Sequence, residues 1–172
     1  MTQGPRVVLV GAMGAGKTTV GRLLADRWGT GFRDTDEDIE IRAGKPVADI
    51  FVEDGEPAFR ELEKAAVASA LAEHDGVLAL GGGAVMAEQT RALLTGHPVV
   101  FLRVGLSDAA SRVGLGVSRP LLLGNVRGKV KQLLDERTPI YEAVAVHTVD
   151  TDGRTPDEVA DAVEAALQGV AR

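Results

Sequence analysis

The sequence predicts an α/β fold, a parallel sheet wrapped by helices, and three observations carry that prediction. Strand-like and helix-like segments alternate from one end of the chain to the other. The run from Arg6 to Val10 is continuous and β-branched, as expected of a central strand buried on both faces. At 172 residues, 45% hydrophobic and 26% charged, the chain has the length and composition of one domain with a single sizeable core, so residues 1–172 are read as one unit.

Each element follows from local pattern. After the first strand stops at a glycine cluster, Val20, Leu23, Leu24 and Trp28 recur at helical spacing from Lys17 onward, with Gly29 placed as a C-terminal cap. Residues 32–34 form a short strand ending in Asp-Thr-Asp. Asp36 to Gly55 reads as two short helices broken at Gly44 to Pro46, and Pro57 opens a longer helix with Phe59, Leu62, Ala66 and Ala70 on one face. Val77 to Leu80 is the third strand, Glu88 to Thr95 a helix, and Val99 to Val104 the fourth strand. A helix near 107–113 precedes a Gly- and Arg-containing stretch, followed by a polar helix to about Ala143, a strand over 144–149 and a terminal helix. That last helix opens on Thr155, Pro156 and Glu158, a capping-box pattern, and buries Val159, Val163 and Leu167.

Composition excludes several classes. No apolar run approaches the ~20 residues of a membrane span, and the N-terminus reaches glycines before a signal segment could form, so a soluble, unprocessed chain is expected. The absence of cysteine excludes disulfides, thiolate metal sites and a cysteine nucleophile, and fits a cytoplasmic location. Nineteen basic against twenty-five acidic residues give a net charge of −6, which should repel nucleic acid and anionic membrane. An anionic ligand therefore needs a local cationic site.

Gly11-Ala12-Met13-Gly14-Ala15-Gly16-Lys17-Thr18 supplies one, because it matches G-x4-G-K-[ST] between a strand and a helix. Backbone N–H groups of Gly14, Ala15 and Gly16, the helix N-terminus and the following Thr19 would cradle phosphates. Lys17 would neutralise the β and γ phosphates, and the Thr18 hydroxyl would be a ligand of Mg²⁺. No Asn-Lys-x-Asp guanine signature follows, which favours ATP. No later apolar strand ends in an aspartate that would give a standard second metal carboxylate.

Asp34-Thr35-Asp36 sets two carboxylates at the end of the second strand, where an open α/β sheet carries its crevice. One could orient metal-bound water and the other hold a substrate hydroxyl, while Asp36 could equally be only a helix N-cap. Arg60 lies four residues after Glu56 and three before Glu63, so a surface ion-pair ladder would also account for it. Phe51 and Phe59 could be core, and Gly81-Gly82-Gly83 could be a permissive turn.

Taken in order, the phosphate loop, Asp34-Thr35-Asp36, Phe59-Arg60-Glu61-Leu62-Glu63, Gly81-Gly82-Gly83, Arg119-Pro120-Leu121-Leu122 and Arg137-x-x-x-Tyr141 resemble shikimate kinase over nearly the whole chain. The resemblance implies a three-layer P-loop NTPase fold of the nucleoside-monophosphate-kinase type, with five parallel strands, helices on both faces and a lid segment. It implies ATP- and Mg²⁺-dependent phosphorylation of the shikimate 3-hydroxyl in aromatic amino-acid synthesis, and a monomer is the default expectation. Arg60 and Arg137 match the arginines that grip the substrate carboxylate, a task suited to planar guanidinium forks. Asp36 matches the residue that holds the hydroxyls and either takes the proton from the attacking oxygen or only positions it, and Asp34 the one that reaches Mg²⁺ through water. Gly81, Gly82 and Gly83 match the loop against the substrate, Phe51 and Phe59 the apolar wall, and Glu63 the group that orients Arg60. The acceptor-binding part would span about 35–63 and the lid about 114–128.

Arg112, Arg119, Arg127, Lys129, Lys131 and Arg137 face only Asp135 and Glu136 in their segment, a local positive field in an acidic protein. Lys129 and Lys131 read as a solvated helix face. In the resemblance Arg119 is the lid arginine that reaches the phosphates, Arg112 packs on adenine, and Asp152-Gly153-Arg154 falls at the adenine loop, with Arg154 beside the base. Another small P-loop kinase, such as a gluconate kinase, or a nucleotide-binding module without catalysis would share the loop and the fold. His74, His97 and His147 are scattered without a carboxylate at metal spacing and read as structural or solvated.

Overall fold

The computed structural model describes residues 4–114 and 126–169, excepting the side chains of 112–114 and 126. Five strands, β1 (Val7–Val10), β2 (Phe32–Asp34), β3 (Val77–Ala79), β4 (Val99–Arg103) and β5 (His147–Asp150), pair in the order β2-β3-β1-β4-β5. Every pairing is parallel, with Val8 of β1 opposite Leu78 of β3 and Val99 of β4. The helices are α1 (Lys17–Trp28), α2 (Thr35–Ala43), α3 (Val47–Glu53), α4 (Glu56–Glu73), α5 (Glu88–Leu94), α6 (Leu106–Gly114), α7 (Val126–Val144) and α8 (Pro156–Leu167).

Burial of β1 on both faces follows from its run of unbroken apolar residues. Val7 and Leu9 pack with Val20 and Leu24 of α1 and Val159 and Val163 of α8. Val8 and Val10, pointing the other way, pack with Val67, Ala70 and Leu71 of α4 and Leu94 of α5. The result is the expected three layers. Helix α7 contributes to both, with Val130, Leu133 and Leu134 on the first side and Ile140 and Tyr141 on the second. Residues 35–63 build a cluster of their own, in which Ile39, Val47 and Ile50 close over Phe59 together with Ala66 farther along α4.

Element boundaries agree with the sequence pattern within a residue or so, with three corrections. Helix α7 begins at Val126 rather than after Gly128, so residues 126–128 of the expected lid are helical. The last strand begins at His147 rather than 144, because α7 runs to Val144, which packs with Ala145 on the Tyr141 side of the sheet. Periodicity did not separate the end of a buried helical stripe from the start of a strand there. A short 3₁₀ turn over Ala84–Met86, closed by Arg91 donating to the carbonyls of Val85 and Met86, follows the triple glycine and is not marked by any periodic signal. No described helix is long and apolar enough to cross a membrane.

Candidate active site

Three strands deliver the site at their C-terminal ends. β1 runs into the phosphate loop, β2 into Asp34, and β3 into Gly81-Gly82-Gly83, and β3 lies between the other two. The crevice of an open parallel sheet lies at that edge.

The loop wraps the N-terminus of α1. Gly14 and Gly16 have φ of 83° and 92°, a region that side-chain-bearing residues rarely adopt, so glycine is required at both. Helix α1 starts with no side-chain cap and no acidic residue in its first turn, so its N–H groups and dipole face the loop. The Lys17 ammonium donates to the carbonyls of Gly11 and Ala12 at 2.7 and 3.0 Å, which holds it across the loop. Gly14, Gly16, Lys17, Thr18 and Thr19 line one pocket with Asp34 and Asp36, whereas Ala15 is buried and reaches the neighbouring groove instead.

Asp34 ties this loop to the second strand. Its Oδ2 accepts from the Thr18 hydroxyl at 3.3 Å and its Oδ1 from the Asp36 N–H at 2.8 Å. Asp34 is therefore the N-cap of α2, and Asp36 lies inside the first turn, which corrects the alternative that Asp36 is the cap. Burial, reinforced by the charge of Asp36, pushes the Asp34 carboxyl above its ordinary range, against the Asp36 N–H and Lys17.

A second pocket adjoins the first and shares Met13, Asp36 and Gly82 with it; Phe51, Phe59, Arg60, Glu63 and Arg137 complete most of its wall. The Arg60 guanidinium pairs with Glu63 at 2.8 Å and Glu56 at 3.1 Å, so the ion-pair ladder expected from spacing exists and faces the pocket as well. It stands over the Phe59 ring at 5.2 Å, and Phe59 meets Phe51 at 4.7 Å between centroids. Phe59 is core and pocket wall together, at 2% exposure, while Phe51 is only partly buried. Burial pushes the Glu63 carboxyl up despite the opposing pull of Arg60.

The triple glycine is a turn, closed by the Ala84 N–H donating to the Gly81 carbonyl at 3.1 Å, but none of its members has positive φ, so backbone freedom is not what calls for glycine there. Space decides these positions. A Cβ at Gly81 would stand 2.6 Å from Asp36 Oδ1, and one at Gly83 2.7 Å from Arg60 Nη1. At Gly82 the nearest atom, Arg137 Nη1, would lie at an ordinary 3.5 Å.

A third groove lies across Gly16 and Thr19, walled by Thr151, Arg154, Pro156 and Val159. Its far wall is fixed by Asp152, which accepts from the Gly105 N–H, and by Thr151, whose N–H and hydroxyl donate to the Arg103 carbonyl. Arg154 thus reaches the phosphate-loop side of the molecule. Arg119 and the side chain of Arg112 lie outside the described residues, as does most of the expected lid. Sequence reasoning missed four contributors: Met13, Leu133, Thr35, whose buried hydroxyl accepts from the Gly81 N–H at 3.1 Å, and Tyr141, whose hydroxyl donates to the Gly82 carbonyl. Met13, Thr35 and Tyr141 stand inside the quoted motifs but were given no role there, and Leu133 carried no signal.

A phosphate loop on a parallel sheet, adjoining a cation-lined acceptor pocket, defines a P-loop kinase. The family model described as shikimate kinase matches residues 13–168, and the chain belongs to the shikimate kinase family. The shikimate kinase of Thermobifida fusca is 59% identical over 97% of each chain. Among solved structures, shikimate kinase from Acinetobacter baumannii in complex with shikimate superposes with a TM-score of 0.92 at 34% identity, covering 96% of this chain and 93% of that one. A gluconokinase from Sinorhizobium meliloti, at a TM-score of 0.61 and 21% identity over 99% of this chain and 95% of that one, shares the fold alone.

Proposed function

We propose that this chain transfers the γ-phosphoryl group of ATP to the 3-hydroxyl of shikimate, giving shikimate 3-phosphate and ADP in the chorismate route to aromatic amino acids. The observation that carries the acceptor is one pocket in which Arg60 and Arg137 stand with Asp36, joined to the phosphate pocket through Met13, Asp36 and Gly82. Two guanidinium groups suit a carboxylate and a neighbouring aspartate suits hydroxyls.

The residues divide the work. Arg60, oriented by Glu63, and Arg137 bind the acceptor carboxylate, while Phe51 and Phe59 exclude water from the ring face and Gly81, Gly82 and Gly83 allow close approach. Asp36 holds the reacting hydroxyl and receives its proton at a carboxylate oxygen as the oxygen–phosphorus bond forms and the bond from phosphorus to ADP breaks. Lys17 and the N–H groups of Gly14, Ala15 and Gly16, with Thr19 beside them, stabilise charge on the phosphates. Arg154 lies at the groove suited to the base, with Arg112 and the lid arginine Arg119 assigned by family likeness.

Thr18 and Asp34 fit Mg²⁺. They touch each other at the phosphate loop, and Asp34 is a desolvated carboxylate crowded by Asp36, whose charge a cation would offset. Among the described residues no cluster of three or more metal-ligating side chains exists, which suits an ion held largely by phosphates and water, with Asp34 acting through water. Bound there, Mg²⁺ would neutralise phosphate charge. The remaining readings are a monomer and a cytoplasmic location.

The test is ADP release with ATP and Mg²⁺, with and without shikimate, beside gluconate and nucleoside monophosphates. Turnover with shikimate alone is expected. Turnover with another acceptor would retain the kinase and overturn the acceptor roles, and ATP binding with no turnover would overturn catalysis.

A further inference from the structure

The glycine loop after β3 is held from two sides by hydroxyls to which no part of the reaction has been assigned. On one side the Gly81 N–H donates to the Thr35 hydroxyl, a side chain with 0% exposure. On the other the Tyr141 hydroxyl donates to the Gly82 carbonyl. Tyr141 is 1% exposed, its ring lies 5.0 Å from that of Phe101 of β4, and Arg137, one turn earlier on α7, lies beside its hydroxyl.

We propose that Tyr141 is a positioning residue for the acceptor: its hydroxyl couples the Arg137 guanidinium to the Gly82 peptide and so fixes the guanidinium against the acceptor pocket. This inference rests on the acceptor reading given above. A phenol has one proton to donate and lone pairs to accept with. Donation to Gly82 commits the proton, which leaves the oxygen to face the guanidinium. Burial pushes the hydroxyl up to about 12 against the pull of Arg137, so it remains a neutral donor throughout the working range. Arg137 is only partly buried, and an arginine fork that grips a carboxylate loses geometry unless another group limits its rotation.

Tyr141→Phe removes the hydroxyl and keeps the ring against Phe101. The expected result is a roughly tenfold rise in acceptor KM with ATP KM unchanged, the size of a lost hydrogen bond to a charged group. A purely structural tyrosine would lower Tm and the active fraction and leave both KM values alone, and that outcome overturns the proposal. So does an equal rise in both. In a Tyr141→Phe/Arg137→Lys double-mutant cycle the two effects should be strongly sub-additive, because one acts through the other. Full additivity overturns the coupling. Should Tyr141→Phe fold poorly, Thr35→Val with Thr35→Ser as its rescue reads the opposite anchor of the same loop; an unchanged acceptor KM in folded Thr35→Val would refute a held loop. All ratios are taken against wild-type turnover with the acceptor that the substrate panel selects, so failure of the shikimate reading appears in the wild type and failure of the clamp appears only in the variants.

Discussion

A single nitrogen, Lys17 Nζ, lies across the phosphate loop on two backbone carbonyls, held there by the turn that Gly14 and Gly16 permit. Lys17→Met keeps the length of the side chain and deletes its charge. We expect kcat to fall by at least about 100-fold, the scale of one lost donor to a developing negative charge, with the fold intact by circular dichroism. Near-normal kcat would remove the lysine from the chemistry. The glycines after β3 offer a sharper contrast, because their substitutions are sorted by distance. Gly83→Ala drives a methyl into a guanidinium already clamped by Glu63 and Glu56, so acceptor KM should rise by about tenfold or more. Gly82→Ala meets no protein atom closer than ordinary contact, so its fold and Tm should be unchanged and its acceptor KM should rise less than that of Gly83→Ala. A larger rise from Gly82→Ala in side-by-side kinetics would show that approach of the acceptor to the Gly82 peptide, and not the space around Arg60, governs the loop.

Among the elements, α8 shows how a local signal becomes tertiary structure. The Thr155 hydroxyl accepts from the Glu158 N–H at 3.2 Å and Glu158 accepts from the Thr155 N–H at 2.8 Å, a complete capping box. The helix then buries Val159, Ala160 and Val163 against α1, and its outer edge offers Asp157, Asp161 and Glu164 to one arginine, Arg27. Thr155→Ala should cost about 1 kcal/mol, or roughly 2–4 °C in Tm for a chain of this size. An unchanged melting curve would mean that the packed face alone sets the start of the helix. The capping box was legible as Thr-Pro-x-Glu before an apolar stripe. The Arg27 pairings were not, since 130 residues or more separate the partners.

For the molecule as a whole, the crevice gathers Asp34, Asp36 and Glu63 with Lys17, Arg60 and Arg137 where three strand ends meet. Concentrating charge there has a pH signature. The native state holds the Glu63 proton to higher pH than the unfolded chain does, so as pH rises through the ordinary carboxylate range the unfolded state releases a proton that the native state retains. Stability from this group is full below that range and is lost above it, and Asp34 acts in the same direction. The Tm difference between wild type and Glu63→Gln should therefore shift against the wild type as pH rises through and above the ordinary carboxylate range, from about pH 4 upward. A difference that stays flat, or that moves toward the wild type, would show that pairing with Arg60 outweighs burial.

Most of the strands and helices, the phosphate loop and the family likeness were determined by the sequence alone, because each is written in contiguous residues: period, cap, glycine spacing, motif order. The amino-acid order also brought Arg60, Arg137, Asp34 and Asp36 forward as candidates, yet left Arg60 and Asp36 with a quieter local explanation. Only the tertiary structure decided among them. It made Asp34 the helix cap, set Arg60 in its ion pairs and against the pocket at once, and showed that Gly81 and Gly83 are small for their neighbours' sake. It also brought Thr35 and Tyr141 to opposite sides of one loop from positions 46 and 59 residues away from their partners. The physical reason is that strand order, β2-β3-β1-β4-β5, places in contact what the chain keeps far apart, and contact across a sheet leaves no periodic trace in sequence.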